Sequence, residues 1–239
     1  MHADTSQSGV LRRWLAVIAI AVVACTAATS NQENTAAARM VDQQLRPSDI
    51  RDPRVLAVMR EVPRHRFVPS ELAARAYDDT PLPIGYGQTI SQPYIVAYMT
   101  QALELRPEHR VLEVGTGSGY QAAVLARIAK EVYTIEIVPE LAARAAATLR
   151  ELGYGNVHVR EGDGYAGWPE RAPFDRIMVT AAPDHVPQPL VDQLAMGGRL
   201  VIPVGDVRQQ MAILTKTKDG VVERRTIAVR FVPLTRKPK

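Results

Sequence analysis

Five short apolar runs alternate with amphipathic stretches along the second half of the chain. The apolar runs lie at 110–115, 131–137, 156–161, 174–180 and 198–204. Amphipathic helical patterns lie between them at about 119–129, 139–152 and 186–195. Apolar runs separated by helices are typical of parallel strands that are covered on both faces of a sheet. The pattern therefore predicts an α/β fold with a doubly wound, mostly parallel sheet.

The chain on either side of this sheet has a different pattern. The predicted elements before it are helices at 36–45, 53–59 and 93–105 and a loop at 78–87, which holds two prolines and two glycines. After it, 211–217 and 221–232 flank the turn at 218–220, which is typical of an antiparallel hairpin. The pattern leaves open the order of these final strands in the sheet.

A glycine-rich turn follows the first strand of the predicted sheet. Gly115, Gly117 and Gly119 have G-x-G-x-G spacing, and Glu136 ends the next strand, about 20 residues beyond the turn. Glycines let the backbone approach a ligand closely, and an acid in this place accepts hydrogen bonds from ribose hydroxyls. The alternative is a tight strand-to-helix connection without a ligand. Dinucleotide sites need G-x-G-x-x-G spacing, because a pyrophosphate binds at the helix N-terminus, and this turn has a different spacing. Glu113 directly precedes the turn and is placed to meet a cationic ligand. The turn therefore predicts S-adenosylmethionine, which carries an ammonium and a sulfonium and no phosphate.

The ends of the later strands extend the predicted site, because ligands bind beyond the carboxyl ends of parallel strands. Asp163 is placed to reach the adenine amino group; alternatively, it forms only an Asx turn between Gly162 and Gly164. Ala181 and Ala182 are small where a strand end would face the transferred methyl group. A site without a nucleophilic side chain suits direct methyl transfer, because the sulfonium is already activated and positioning and desolvation supply most of the acceleration.

Other segments carry motifs outside the cofactor turn. These are Val62–Pro69, Gly87–Pro93, Gly162–Trp168 followed by Ala172–Asp175, and Val232–Thr235. Together they resemble the motifs of the protein-L-isoaspartate O-methyltransferases, and the resemblance covers roughly 36–234. It implies the class I S-adenosylmethionine-dependent methyltransferase fold. It also implies methyl transfer to the α-carboxylate of L-isoaspartyl residues in damaged proteins, after which closure of the ester and hydrolysis return aspartate.

The resemblance also implies an active-site residue, Ser91, with Thr89 and Ile90 beside the substrate and the cofactor. A carboxylate is ionised at pH 7 and needs no general base, and the Ser91 and Thr89 hydroxyls can hold one of its oxygens while the other attacks. The alternative for Ser91 is a helix N-cap. Animal members of the family have His where this chain has Val96.

The predicted site residues form two sets. The cofactor set is Thr89, Ile90, Glu113, Gly115, Thr116, Gly117, Ser118, Gly119, Glu136, Ile137, Asp163, Gly164 and Thr235. The substrate set is Thr89, Ser91, Ala181 and Ala182, with Ser91 as the catalytic residue.

Residues 1–30 differ from the rest of the chain. Arg12 and Arg13 precede an apolar run at 14–24, which is a secretory signal pattern too short to span a bilayer comfortably. Val22–Cys25 also resembles a lipoprotein processing box, with Cys25 as the lipidated residue. We therefore predict export to the periplasm, with any membrane attachment through this segment. The alternative is a cytoplasmic enzyme with an uncleaved apolar tail, since the predicted cofactor is made in the cytosol.

The composition of the chain excludes some classes of binding partner. The net charge of +4 comes from scattered Lys and Arg without interleaved aromatics, which disfavours nucleic acid. The cluster Arg64–Arg66 is interpreted as a solvated helix end. One cysteine and five histidines without ligand spacing predict no metal site and no internal disulfide.

We expect a monomer with a methyltransferase domain at 31–239, divided into a helical and active-site part, 36–105, and a cofactor-binding core, 106–239. The functional alternatives are a methyltransferase with another acceptor and a non-catalytic cofactor-binding module.

Overall fold

The computed structural model describes residues 35–236, so the predicted signal segment and Cys25 lie outside the described residues. The helices are α1 (35–40, continued by a π-helical turn, Val41–Leu45), α2 (Pro53–Glu61), α3 (Pro93–Ala102), α4 (Tyr120–Ala126), α5 (Pro139–Glu151) and α6 (Gln188–Asp192). The strands are β1 (Leu82–Gly85), β2 (Gln88–Ile90), β3 (Arg110–Val114), β4 (Glu131–Glu136), β5 (Val157–Glu161), β6 (Phe174–Val179), β7 (Leu194–Val204), β8 (Gln209–Thr217) and β9 (Gly220–Val229). Short 3-10 turns lie at Arg64–Phe67, Ser70–Arg75, Gly164–Ala166 and Pro169–Arg171.

The main sheet confirms the predicted fold class. Its strand order is β5-β4-β3-β6-β7-β8-β9, and the first five of these strands are parallel. The central strand β3 pairs with β4 on one side and β6 on the other. Its residues Val111, Leu112 and Val114 are buried, as expected for a strand covered on both faces. The carboxyl end of β3 therefore lies in the middle of the ligand-binding edge.

The C-terminal part of the sheet is a sequential antiparallel extension. β8 pairs with β7, and β9 pairs with β8, so the predicted hairpin is present and each strand is added next to its predecessor. The Thr217 hydroxyl donates a hydrogen bond to the Gly220 carbonyl (2.8 Å) and closes the turn. β7 begins at Leu194, four residues before its predicted start at 198.

The predicted loop at 78–87 is wrong in its second half, which forms strand β1. β1 pairs with β2 as a small antiparallel sheet, with Leu82 opposite Ile90. Leu82 and Ile84 are buried and Pro83 is exposed, which is the alternation of a half-buried strand. Pro83 is tolerated because β1 has a partner on one side only.

The interpretation of the Arg64 cluster as a solvated helix end is also wrong at its first residue. Arg64 has no exposed surface, whereas Arg66 is exposed and forms an ion pair with Glu151. The first residue of the cluster is thus a buried guanidinium group. No helix within residues 35–236 combines the length and apolar character needed to cross a membrane.

Candidate active site

A cavity opens at the carboxyl ends of β3, β4 and β6 and encloses about 850 Å³, including the space at its open mouth. Its wall contains many of the predicted residues: Thr89, Ile90, Ser91, Gly115, Thr116, Gly117, Ser118, Glu136, Ile137, Gly164, Ala181 and Thr235. The fold thus brings the β1–β2 segment, the glycine turn and the C-terminal segment to one place.

The glycine turn approaches its neighbours too closely for a side chain at Gly115. The backbone of Gly115 has φ +99°, and an added Cβ would lie 2.4 Å from Oγ1 of Thr180. That hydroxyl donates hydrogen bonds to the carbonyls of Val114 (3.1 Å) and Gly115 (2.6 Å). Gly164, another wall residue, is equally confined, because its Cβ would lie 2.3 Å from Cγ1 of Val114. Both glycines keep the cavity open beside β3.

Glu136 joins the glycine turn to the start of α5. One carboxylate oxygen accepts the Gly117 N–H (2.7 Å), and the other accepts the N–H groups of Ile137 and Val138 (3.0 Å each). A carboxylate has roughly four lone-pair sites, so these three bonds leave one for a further donor. Because Glu136 also lies on the cavity wall, that remaining site is suited to a ribose hydroxyl.

Glu113, predicted to meet a cationic ligand, does not line the cavity, and its Oε1 is buried without a hydrogen-bond partner among residues 35–236. It has no exposed surface, and it accepts a hydrogen bond from Oγ1 of Thr134 (2.5 Å). Burial raises the pKa of Glu113 to about 8. Adjacent strand residues point to opposite faces of a sheet. Glu113 therefore points away from the face that Val114 presents to the cavity.

Three other predicted residues lie behind or beside the wall. Gly119 begins α4 and packs against α5, since its Cβ would lie 3.2 Å from the Leu149 side chain. Asp163 accepts the Tyr165 N–H (2.9 Å), so the alternative Asx turn is present next to the wall residue Gly164. Ala182 is nearly buried and pairs through its main chain with the C-terminal segment.

The sequence alternative for Ser91, a helix N-cap, is not what the structure contains. α3 begins at Pro93, as predicted, but the Tyr94 N–H donates to Oδ1 of Asp79 (2.8 Å), 15 residues earlier in the chain. Within residues 35–236 the Ser91 hydroxyl makes no hydrogen bond, although its carbonyl oxygen accepts one from Arg64. The side chain of Ser91 is therefore available to a ligand in the cavity.

Some wall residues lie outside the predicted sets but in segments that the sequence already indicated: Thr180 at the end of a predicted strand, Val96 in α3, and Val232, Pro233 and Leu234 of the C-terminal motif. Sequence reasoning missed Gln88, Val114, Tyr120, Gln121, Ile135 and Val138. Tyr120 carries a usable signal, since it directly follows the glycine turn. Gln121 does not, because its place inside a buried helix resembles that of an ordinary core position.

The chemistry of the wall fits a cationic ligand that lacks phosphate. Of the described residues that line the cavity, Glu136 carries a carboxylate, and none is Lys, Arg or His. A phosphate would normally meet cationic side chains. Among residues 35–236, no group of three or more His, Cys, Asp or Glu side chains is placed to hold a metal ion.

Comparison with known proteins identifies the family. The family model of protein-L-isoaspartate (D-aspartate) O-methyltransferases matches residues 35–239. The chain belongs to this family. A protein-L-isoaspartate O-methyltransferase from Gloeobacter violaceus is 63% identical over 199 residues, which cover 82% of this chain and 97% of the relative. One from Opitutus terrae is 55% identical over 230 residues, 95% of this chain and 99% of the relative.

Solved protein-L-isoaspartate O-methyltransferases have the same fold. One is 30% identical with a TM-score of 0.74, over 82% of this chain and 65% of that chain. A Plasmodium falciparum structure assigned to the same enzyme class, in complex with S-adenosyl-L-homocysteine, is 27% identical with a TM-score of 0.73, over 84% of this chain and 98% of that one. The predicted cofactor and reaction are thus confirmed. The protein is an S-adenosylmethionine-dependent enzyme that methylates L-isoaspartyl residues in the repair of damaged proteins.

Proposed function

We propose that Ser91 binds the acceptor carboxylate of this protein-L-isoaspartate O-methyltransferase and that Glu136 binds the cofactor ribose. The observation that carries the role of Ser91 is its hydroxyl, which lies on the cavity wall while Asp79 supplies the hydrogen bond at the start of α3. The remaining lone-pair site of Glu136 supports the ribose assignment.

Methyl transfer to a carboxylate needs no nucleophilic or basic side chain, so the main task of the protein is to position the two reactants. When bound, S-adenosylmethionine supplies a methyl group on a positively charged sulfur. The substrate carboxylate is ionised at pH 7, so no side chain needs to remove a proton from it. Ser91 and Thr89 donate hydrogen bonds to one carboxylate oxygen. These two hydroxyls would leave the other carboxylate oxygen free to accept the methyl group that bound S-adenosylmethionine would supply, giving a methyl ester and a neutral thioether.

The C-terminal segment supports this chemistry by covering the cavity. The Ala182 N–H donates to the Val232 carbonyl (2.8 Å), and the Leu234 N–H donates to the Ala182 carbonyl (2.9 Å). These bonds hold 232–235 against the strand end that carries Ala181, another wall residue. Exclusion of water by this cover would strengthen electrostatic interactions at the reacting centre.

Ser91→Ala is expected to lower kcat for an isoaspartyl peptide about 10- to 100-fold, the range for a lost hydrogen bond to a charged group. The dissociation constant for S-adenosylhomocysteine should stay within about twofold. Steady-state kinetics and calorimetry measure the two values. Ser70→Ala is the matched control, because Ser70 is exposed and outside the cavity wall. If cofactor affinity falls as much as kcat, Ser91 supports the fold of the wall and does not hold the acceptor.

We also propose that the enzyme is exported as a monomer through residues 1–30, with a lipid at Cys25. The basic pair, the short apolar run and Cys25 support export. Fractionation of cells that carry the full chain, followed by light scattering on the recovered enzyme, tests both. Recovery from the cytosol would contradict export, and a dimer mass would contradict the monomer.

A further inference from the structure

We infer that Arg64 is a positioning residue that holds the acceptor segment in place from behind the cavity wall. This inference rests on the role proposed for Ser91. Arg64 does not line the cavity, so it does not touch the reacting groups. Its effect on the reaction passes through the residues that it holds.

The guanidinium group of Arg64 connects three separate segments. Its Nε donates a hydrogen bond to the Ala76 carbonyl (2.6 Å), and its Nη2 donates one to the Ser91 carbonyl (2.7 Å). The guanidinium carbon also lies 4.8 Å from the ring centroid of Tyr120, a cation–π distance. Ser91 and Tyr120 are both on the cavity wall, one on the acceptor side and one after the glycine turn.

Burial of a guanidinium group costs free energy, so the contacts that hold Arg64 indicate what the residue does. Burial lowers the pKa of Arg64 from its usual value, but an arginine side chain keeps its charge in proteins. Removal of a charge from water is unfavourable unless good hydrogen bonds replace the lost hydration. Here Nε and Nη2 donate to main-chain carbonyls, whereas Nη1 is buried without a hydrogen-bond partner among residues 35–236. One of these carbonyls belongs to Ser91, so Arg64 holds the main chain just before α3, where Asp79 holds the Tyr94 N–H.

Lysine would not reproduce these contacts. The planar guanidinium presents donors in a fixed fork, so one Arg can hold two carbonyls at set directions and stack on a ring. An ammonium group is a compact charge on a flexible stem. The loss would fall mainly on Ser91, because Tyr120 also packs edge-to-face on Phe67, with ring centroids 5.6 Å apart. We therefore expect the part of the wall around Ser91 to loosen while the part around Tyr120 remains in place.

The experiment is a double-mutant cycle of Arg64→Lys and Ser91→Ala. Arg64→Lys alone is expected to lower kcat/KM for an isoaspartyl peptide about tenfold, with S-adenosylhomocysteine affinity within about twofold of the parent. In the Ser91→Ala background the same change should cost less than about threefold, because the hydroxyl that it positions is already absent. Arg64→Gln is measured in parallel, since it keeps a donor without burying a charge.

Arg176→Lys is the matched control. Arg176 is a half-buried arginine that likewise donates to main-chain carbonyls, those of Leu103 (2.5 Å) and Asp175 (2.7 Å), but it lies outside the cavity wall. The Arg176→Lys variant should have a lower melting temperature and an unchanged kcat/KM.

Three outcomes would overturn the inference. Arg64 variants could lose the same factor with and without the Ser91 hydroxyl, lose cofactor affinity in parallel with kcat/KM, or behave like Arg176→Lys. A failure of the Ser91 role itself is visible separately, in the Ser91→Ala single variant.

Discussion

Glu136→Ala is expected to weaken S-adenosylhomocysteine binding by at least about 100-fold, because a hydrogen bond to a charged group contributes about 1.5–3 kcal/mol and several are lost together. Glu136 accepts three main-chain N–H bonds, from Gly117, Ile137 and Val138. Alanine removes the proposed ribose contact and also releases the glycine turn from the start of α5. Isothermal titration calorimetry measures the affinity, and thermal melting shows whether the domain stays folded.

Two further variants separate these effects of Glu136. Glu136→Gln keeps one side-chain oxygen, so it should retain part of the turn and lose less affinity than alanine. Glu140→Gln is the matched control on the exposed first turn of α5, and it should bind like the parent. Parent-like affinity in a folded Glu136→Ala variant would contradict the assignment of this residue to the ribose.

The cofactor turn could be predicted from sequence because its signals are local. The spacing of Gly115, Gly117 and Gly119 and the acid at the end of the next strand are read along a single βαβ unit. Once the fold places neighbouring strand ends at one edge, most of the predicted residues meet there. Closeness to the turn along the chain did not place Glu113 on the cavity wall. Alternation on the strand turns its side chain to the opposite face.

Long-range contacts account for the other differences. Ser91 has the residue type and position of an N-cap, but Asp79 supplies the hydrogen bond at the start of α3 from another loop. Arg64 lies among charged residues, yet it is fully buried by contacts with Ala76, Ser91 and Tyr120, which lie 12 or more residues further along the chain. β1 was hidden because Pro83 and Gly85 are loop signals, and only pairing with β2 reveals the strand. For Ser91 and Arg64 the deciding contacts reach 12 or more residues along the chain, whereas β1 and β2 are neighbours whose pairing the loop-forming residues conceal.

Gly115→Ala is expected to lower kcat/KM by at least about 100-fold, a loss of about 2.7 kcal/mol in transition-state stabilisation. The new Cβ would lie 2.4 Å from Oγ1 of Thr180, and φ of +99° is unfavourable for alanine. To relieve the contact, the turn has to shift into the cavity or Thr180 has to give up its hydrogen bonds to the Val114 and Gly115 carbonyls. Steady-state kinetics with an isoaspartyl peptide, together with cofactor titration, measure the loss.

The two causes can be separated with a second change and a control. Thr180→Ala removes the clashing oxygen, so Gly115→Ala combined with it should recover part of the affinity that the single Gly115 variant loses. The cost of the positive φ, about 1–2 kcal/mol, should remain. Gly153→Ala carries that conformational cost alone, because Gly153 has φ +79° with nothing within 4 Å of an added Cβ. It should lower the melting temperature and leave cofactor affinity unchanged. If Gly115→Ala affects the enzyme no more than Gly153→Ala does, the glycine serves only the backbone turn, and close approach to the ligand is not its role.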